Sequence, residues 1–225
     1  RRRRRRHETD VLRTRRRRAS GTGRIAGRRA RIERVEGDPE RRDVAAAADR
    51  PVVPRRHFRL YVPRGWARGT PAPLLALIHG CRQTAEEFAQ GTRVEALADR
   101  VGALVLMPRQ KRTANPYRCW NWFDRRTADG KGEAAIVAAM IDKVMRRYRA
   151  DPTRVVAAGM SSGAGLTAIL GLRFPGLVRG VVVHSGIACG AAASAFTALS
   201  VMRLGPETDV AAIAAEARRA SGTDA

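Results

Sequence analysis

The chain has 225 residues, an apolar fraction of 44% and a formal net charge of +23. These values fit one medium-sized globular domain and exclude a chain that is disordered throughout. No stretch approaches the roughly 18 consecutive apolar residues that a membrane span requires. The charge comes from 41 arginines and only 3 lysines. Because lysine also binds phosphate well, this imbalance is more typical of a GC-rich coding sequence than of a selected nucleic-acid surface.

Residues 1–50 form an arginine-rich segment with 19 Arg, 8 acidic residues and no aromatic residue. Such a segment cannot bury enough apolar surface to offset the entropy of ordering, so we predict disorder, with a short helical turn near 41–49 as the exception. A basic arm that binds nucleic acid or another anionic surface is one interpretation. A solvated tail, or translated sequence upstream of the natural start, is the interpretation we favour. The segment is not a signal peptide, because no apolar stretch follows its charges.

The folded domain is predicted to occupy residues 51–225, and strands alternate with helices along it. Alternating or continuous apolar runs predict strands at 57–62, 73–78, 103–107, 155–158 and 181–183, the last four of the buried type. Helical periodicity predicts a helix over 84–101, broken near Gly91, and an amphipathic helix over 133–148. This order indicates an α/β domain with a mainly parallel sheet flanked by helices.

A nucleophile motif lies where the strand over 155–158 meets the following helix. Gly159-Met160-Ser161-Ser162-Gly163 has the pattern G-x-S-x-G, and its glycines leave room for a sharp turn that exposes the serine hydroxyl. The helix that follows points its N-terminal amides at the same place. The alternative interpretation is a glycine-rich turn with a buried capping serine.

Four motifs in this order resemble the polyhydroxybutyrate (PHB) depolymerase-type esterases, an α/β-hydrolase family that includes feruloyl esterases. They are His79-Gly80-Cys81, Arg118-Cys119-Trp120-Asn121-Trp122-Phe123, the motif around Ser161, and Val183-His184-Ser185-Gly186. The resemblance covers residues 55–205. In this family the turn commonly has the sequence G-L-S-A-G-G, and Met160, Ser162 and Ala164 differ from it.

The resemblance implies an extracellular serine esterase that acts on ester or polyester substrates through an acyl-enzyme, without a cofactor or metal. Ser161 would attack the ester carbonyl. The backbone amides of Ser162 and Cys81 would be the two donors of the oxyanion hole. His79 is expected to shape the turn and to take no part in catalysis.

The resemblance also bears on the cysteines and tryptophans. In a secreted family, Cys81 and Cys119 would pair and tie two loops together; two reduced, buried thiols are the alternative. Cys189 is then left over. Trp120 and Trp122 would line a pocket for the acyl or aryl group, although their alternating positions predict that one of them faces the core.

The expected catalytic order, Ser, then Asp or Glu, then His, is not completed after Ser161. His184 is the only later histidine, and no acidic residue follows an apolar strand. We therefore expect the N-terminal two-thirds of an esterase, truncated before the strands that carry the acid and base, and inactive as it stands. The alternatives are a catalytically dead hydrolase-fold interaction module and, less favoured, a basic nucleic-acid-binding protein. The oligomeric state is left open.

Overall fold

The computed structural model describes residues 31–34, 56–205 and 209–221. The strands are β1 (Arg31–Arg34), β2 (Phe58–Val62), β3 (Leu74–Ile78), β4 (Leu104–Pro108), β5 (Val155–Met160) and β6 (Gly180–His184). The helices are α1 (Ala85–Thr92), α2 (Val94–Val101), α3 (Arg125–Ala128), α4 (Gly132–Tyr148), α5 (Ser162–Arg173), α6 (Ala195–Leu204) and α7 (Val210–Ser221).

The six strands form one mixed sheet in the order β1-β2-β4-β3-β5-β6. The pairs β3–β4, β3–β5 and β5–β6 are parallel, whereas β2 runs antiparallel to both β1 and β4. Because parallel strands end at the same edge of a sheet, the segments after β3 and β5 meet there. The prediction of a mainly parallel sheet is confirmed.

Helices cover both faces of the central strands, which explains their continuous apolar sequences. On one face Leu74, Ile78 and Leu104 pack in a cluster with residues of α4 and α5. On the other face Leu77 and Val105 pack with residues of α1 and α2. The predicted break near Gly91 is also present, since α1 ends at Thr92 and Arg93 separates it from α2 in a left-handed conformation.

The segment expected to be disordered, residues 1–50, contains one element that the sequence gives no sign of. Strand β1 pairs antiparallel with β2, from Arg31 opposite Val62 to Arg34 opposite Arg59. Composition does not predict this strand, because its partner is the backbone of β2, and backbone hydrogen bonds carry no sequence signature. The rest of 1–50, including the helical turn expected near 41–49, lies outside the described residues.

Strand β6 has the composition of a buried strand but lies at the edge of the described sheet. Val181, Val182 and Val183 are 44%, 55% and 46% exposed, because β6 forms the outer edge of the described sheet and not an interior strand. A groove of about 680 Å³ runs beside it, lined by residues of α5, β6 and α7 that include Val181 and Ile213. The described helices contain no segment with the length and apolar composition needed to cross a membrane.

The turn between β5 and α5 leaves no space for side chains at its two glycines. A methyl group on Gly163 would lie 2.3 Å from the Ile78 carbonyl oxygen, and one on Gly159 would lie 2.3 Å from the Gly163 carbonyl oxygen. Both distances are far inside van der Waals contact, so α5 can begin this close to β3 only with glycine at these positions.

Replacing Gly163 by alanine tests this packing. We expect the free energy of unfolding of Gly163→Ala to fall by about 2–3 kcal/mol, because backbone atoms of β3 would have to shift. Gly91→Ala is the matched control, since Gly91 also lies in a helix and a methyl group there meets no atom within 4 Å. That variant should be as stable as the wild type or up to about 1 kcal/mol more stable. Urea unfolding followed by circular dichroism measures both, and equal stabilities would contradict the packing argument.

Candidate active site

Ser161 lies at the junction of β5 and α5 in a strained backbone conformation, with φ 56° and ψ −120°. Its amide donates to the His184 carbonyl at 3.0 Å, and its carbonyl accepts the amides of Ala164 and Gly165 at 2.9 and 3.1 Å. These bonds hold a positive φ that non-glycine residues seldom adopt, and such strain is concentrated at functional sites. The serine predicted as nucleophile therefore occupies the sharp strand-to-helix turn that the motif requires.

The two amides predicted as oxyanion donors have no acceptor among the described residues. The Ser162 amide belongs to the first turn of α5, where backbone donors have no partner within the helix. Cys81 follows Gly80 directly, and a methyl group on Gly80 would lie 3.4 Å from the Ser161 Cβ. The loop that carries the Cys81 amide thus lies against Ser161, and both amides remain available to a ligand.

The two tryptophans predicted to line a substrate pocket are both in the core. Trp120 is 1% exposed and Trp122 is 6% exposed, and both belong to the same apolar cluster. The alternation rule for opposite faces does not apply, because these residues lie in a loop and not in a strand. Trp122 packs against α5, where a methyl group on Gly165 would lie 2.7 Å from its ring. The Trp120 amide instead donates to the Ser162 hydroxyl at 3.2 Å and so supports the turn.

A buried carboxylate, which the sequence did not single out, holds the tryptophan loop in place. Glu133 is 7% exposed and accepts from the Asn121 amide at 2.7 Å, the Gln110 side chain at 2.6 Å and Arg56 at 3.3 Å. Buried charges are tolerated when hydrogen bonds and an opposite charge compensate them, as here. The one sequence signal is an acidic residue at the start of the otherwise apolar face of α4.

A disulfide joins Cys81 to Cys119, with Cα atoms 4.2 Å apart and a sequence separation of 38. It links the loop after β3 to the loop that precedes the tryptophans. The Arg82 amide donates to the Tyr117 carbonyl at 2.7 Å beside the bridge, so the two loops are also hydrogen-bonded. Cys189 lies outside the bridge.

His79 uses both ring nitrogens inside the protein. Its Nε2 accepts from the Gln110 amide at 3.3 Å, which assigns the proton to Nδ1, and Nδ1 donates to the Gly80 carbonyl at 2.8 Å. The ring is 1% exposed and lies 5.5 Å from the Trp120 ring. Burial lowers its pKa below the usual range for histidine. A neutral ring whose two nitrogens are both hydrogen-bonded stabilises the turn. It has no free nitrogen that could accept a proton from Ser161.

His184 accepts the Ser161 amide through its backbone carbonyl. Its exposed ring has Nδ1 3.1 Å from the Ser185 hydroxyl. Among the described residues, no imidazole or carboxylate is hydrogen-bonded to the Ser161 hydroxyl. The same residues contain no group of three or more His, Cys, Asp or Glu side chains that could hold a metal ion.

Removing the disulfide should destabilise the fold. We expect the double variant Cys81→Ser/Cys119→Ser to lose about 4 kcal/mol of unfolding free energy, because the bridge restricts a 38-residue loop in the unfolded chain. The single variant Cys189→Ser is the control and should keep the bridge. Urea unfolding without reductant, with peptide mapping of the bridge, measures the effect. A double variant as stable as the wild type would argue against this pairing.

The buried, neutral state of His79 predicts a pH dependence of stability. Its pKa is lowered in the folded chain, whereas an unfolded histidine titrates near 6.5. Below about pH 6.5 the unfolded chain binds a proton that the native chain does not, so unfolding becomes easier by up to about 1.4 kcal/mol per pH unit. Between pH 7.5 and 5.5 the wild type should therefore lose more stability than His79→Asn. Parallel losses in urea unfolding would contradict the assignment.

Residues 56–223 match the family described as Esterase PHB depolymerase. The chain is 31% identical over 153 residues to poly(3-hydroxyalkanoate) depolymerase C of Paucimonas lemoignei, covering 68% of this chain and 36% of that protein. It is 32% identical over 137 residues to acetylxylan esterase A of Emericella nidulans, covering 59% and 43%. It is 31% identical over 144 residues to feruloyl esterase B of Neurospora crassa, covering 62% and 48%. The chain thus spans less than half the length of these three relatives.

Solved structures show the same fold. An acetyl xylan esterase from Aspergillus awamori superposes with a TM-score of 0.60 at 23% identity, over 74% of this chain and 56% of that one. S-formylglutathione hydrolase from Staphylococcus aureus superposes with a TM-score of 0.53 at 15% identity, over 86% and 68%. The sheet flanked by helices is that of the α/β-hydrolases. By its sequence match over 56–223, the chain belongs to the Esterase PHB depolymerase family of carboxylic ester hydrolases.

Proposed function

We propose that this chain carries the nucleophile and the oxyanion donors of a serine esterase, with Ser161 as the nucleophile. The observation that carries the proposal is the backbone of Ser161, strained at φ 56° between a parallel strand and a helix whose Ser162 amide has no acceptor among the described residues. Strain of this kind is maintained by evolution where it positions a reacting group.

In the proposed reaction, the Ser161 hydroxyl oxygen attacks the ester carbonyl carbon and its proton passes to a base. The carbonyl oxygen becomes negatively charged and accepts hydrogen bonds from the Ser162 and Cys81 amides, which are worth on the order of 3 kcal/mol each in such sites. Collapse of the tetrahedral intermediate expels the alcohol and leaves an acyl group on Ser161. Water then hydrolyses that acyl-enzyme, again with help from a base. No cofactor enters these steps.

The described residues do not supply that base. Both nitrogens of His79 are engaged and its ring is buried, while the ring of His184 is bonded to Ser185 and exposed. A serine hydroxyl is a weak nucleophile until an imidazole accepts its proton. We therefore expect this chain by itself to turn over esters slowly and to retain the acyl group once it has formed. The absence of a base next to Ser161 is also what favours a catalytically dead hydrolase-fold interaction module as the second candidate.

The proposed substrates are esters of carboxylic acids, including polyesters. This class comes from the relatives, which are named as a poly(3-hydroxyalkanoate) depolymerase, acetylxylan esterases and a feruloyl esterase. The proposed location is extracellular. The disulfide between Cys81 and Cys119 supports it, because such bonds persist in oxidising compartments.

Turnover of p-nitrophenyl butyrate tests the missing base. We expect the wild-type chain and Ser161→Ala to hydrolyse it at nearly equal, low rates, since losing the base of a serine hydrolase costs roughly 10⁶ in turnover. His184→Ala is measured beside them. Robust wild-type activity that both variants lose would instead identify His184 as the base of an unusual two-residue site.

Mass spectrometry after incubation with the same ester tests the nucleophile itself. Because the proposed oxyanion donors favour slow acylation at Ser161 over other serines, and deacylation also needs a base, the butyryl group should accumulate on Ser161 ahead of the other serines. It should be absent from that peptide in Ser161→Ala. Ser185, which is exposed in the neighbouring loop, serves as the internal comparison. Equal labelling of Ser161 and Ser185 would contradict the proposal and favour the dead interaction module.

A further inference from the structure

Three arginines surround one cavity next to the oxyanion loop. The cavity has a volume of about 390 Å³ and is lined by Arg82, Arg112, Pro116, Tyr117 and Arg118. No acidic residue lines it. Three positive charges around one concave space repel each other, and a bound anion would relieve that repulsion.

The three guanidinium groups are not used in ion pairs within the described part of the chain. Other arginines there do form them, for example Arg59 with Glu95 and Arg154 with Asp151. The Arg82 guanidinium lies over the Tyr117 ring, 5.4 Å from its centre. Stacking uses the flat face of the guanidinium group. Its N–H donors, which point outward in the plane of the group, stay available to another partner.

The nearby carboxylate of Glu87 is committed elsewhere. It accepts the Thr84 amide at 2.8 Å in the capping box of α1. The pKa of Glu87 lies below its usual range chiefly because of that bond, with a smaller effect from the charge of Arg118. The carboxylate thus caps the helix N-terminus, and it forms no ion pair with the three arginines of the cavity.

The cavity wall is held in a fixed conformation. Arg82 and Arg118 both have positive φ, 61° and 55°, which arginine adopts only when its surroundings impose it. The disulfide joins Cys81 and Cys119, the residues adjacent to these two arginines. The Asn115 side-chain oxygen also accepts the Tyr117 amide at 3.0 Å and the Cys119 amide at 3.3 Å. The donors are therefore arranged before any ligand binds, which lowers the entropic cost of binding.

The same wall adjoins the nucleophile. Arg82 follows, by two residues, Gly80, which packs against Ser161. Arg118 precedes by two residues Trp120, whose amide donates to the Ser162 hydroxyl. Two peptide units span at most about 7.6 Å, so the backbones of both arginines lie close to residues that contact the turn at Ser161.

We propose that this arginine cavity binds a carboxylate of the substrate, so that the site is matched to esters that carry a free carboxylate in addition to the ester bond. Guanidinium groups recognise carboxylates by paired N–H···O bonds, and a rigid pair of arginines at fixed distance from the nucleophile also orients the ester. The substrate role rests on the proposed function at Ser161, whereas the binding of the anion does not.

Calorimetric titration in the Ser161→Ala background tests the cavity with two small esters that differ in one charge. Monomethyl succinate, which has a free carboxylate, should bind at least tenfold more tightly than dimethyl succinate. The variant Arg82→Gln/Arg118→Gln should lose that preference, and raising the salt to 0.5 M should weaken it in the parent. Arg68→Gln/Arg100→Gln, which also removes two charges at exposed positions outside the cavity, is the control for net charge and should keep the preference.

Equal affinity for the two esters would overturn the proposal, as would an equal loss of preference in Arg68→Gln/Arg100→Gln. Tighter binding of inorganic phosphate than of monomethyl succinate would also overturn it, by identifying a phosphate site. Because Ser161 is absent from this experiment, its outcome is independent of acylation. If the monoester binds preferentially but Ser161 is not butyrylated, the carboxylate-binding cavity is supported and the esterase function is rejected. If Ser161 is butyrylated but the monoester is not preferred, the esterase function is supported and the carboxylate-binding cavity is rejected.

Discussion

The close approach of helix α5 to strand β3 is the constraint on which the rest of the site depends. A methyl group on Gly163 would lie 2.3 Å from the Ile78 carbonyl oxygen, so the helix begins almost in contact with the end of the strand. This contact forces the turn at Ser161 to be sharp and gives it a positive φ. It also brings the loop after β3 beside Ser161, with Gly80 in contact. The strained backbone of Ser161 and the position of that loop therefore share one cause.

A second layer of polar contacts keeps that turn from relaxing. The buried Glu133 carboxylate binds the Asn121 amide and the Gln110 side chain, and Gln110 in turn donates from its backbone to His79. His79 braces the Gly80 carbonyl, and Trp120 donates to the Ser162 hydroxyl. The network reaches the nucleophile from two sides without touching its hydroxyl. Since Glu133, Gln110 and His79 are all buried, removing one of them would leave hydrogen-bonding groups without partners in a low-dielectric interior.

Sequence reasoning succeeds here where local patterns decide the outcome. The G-x-S-x-G spacing, the continuous apolar strands and the capped, amphipathic helices each follow from neighbouring residues, and the structure places the serine at the expected turn. Sequence reasoning fails where contacts with backbone that is distant in sequence determine the structure. Strand β1 depends on the edge of β2, and the exposure of Val181–Val183 depends on which elements flank β6. The role of Glu133 and the burial of both tryptophans arise from a loop folding back onto α4, for which no periodic signal exists.

The covalent link between Cys81 and Cys119 turns the segment between them into a closed ring that contains α1, α2 and β4. The exposed part of that ring, around Arg112, is rich in basic residues and lies in a loop, where trypsin-like proteases cut. A single cut there opens the ring without releasing either fragment, because the bridge still joins them. The loop beside the nucleophile would keep its attachment after such a nick until the bridge is reduced. The bond that joins the two loops beside Ser161 would therefore also keep the two fragments together after a proteolytic cut.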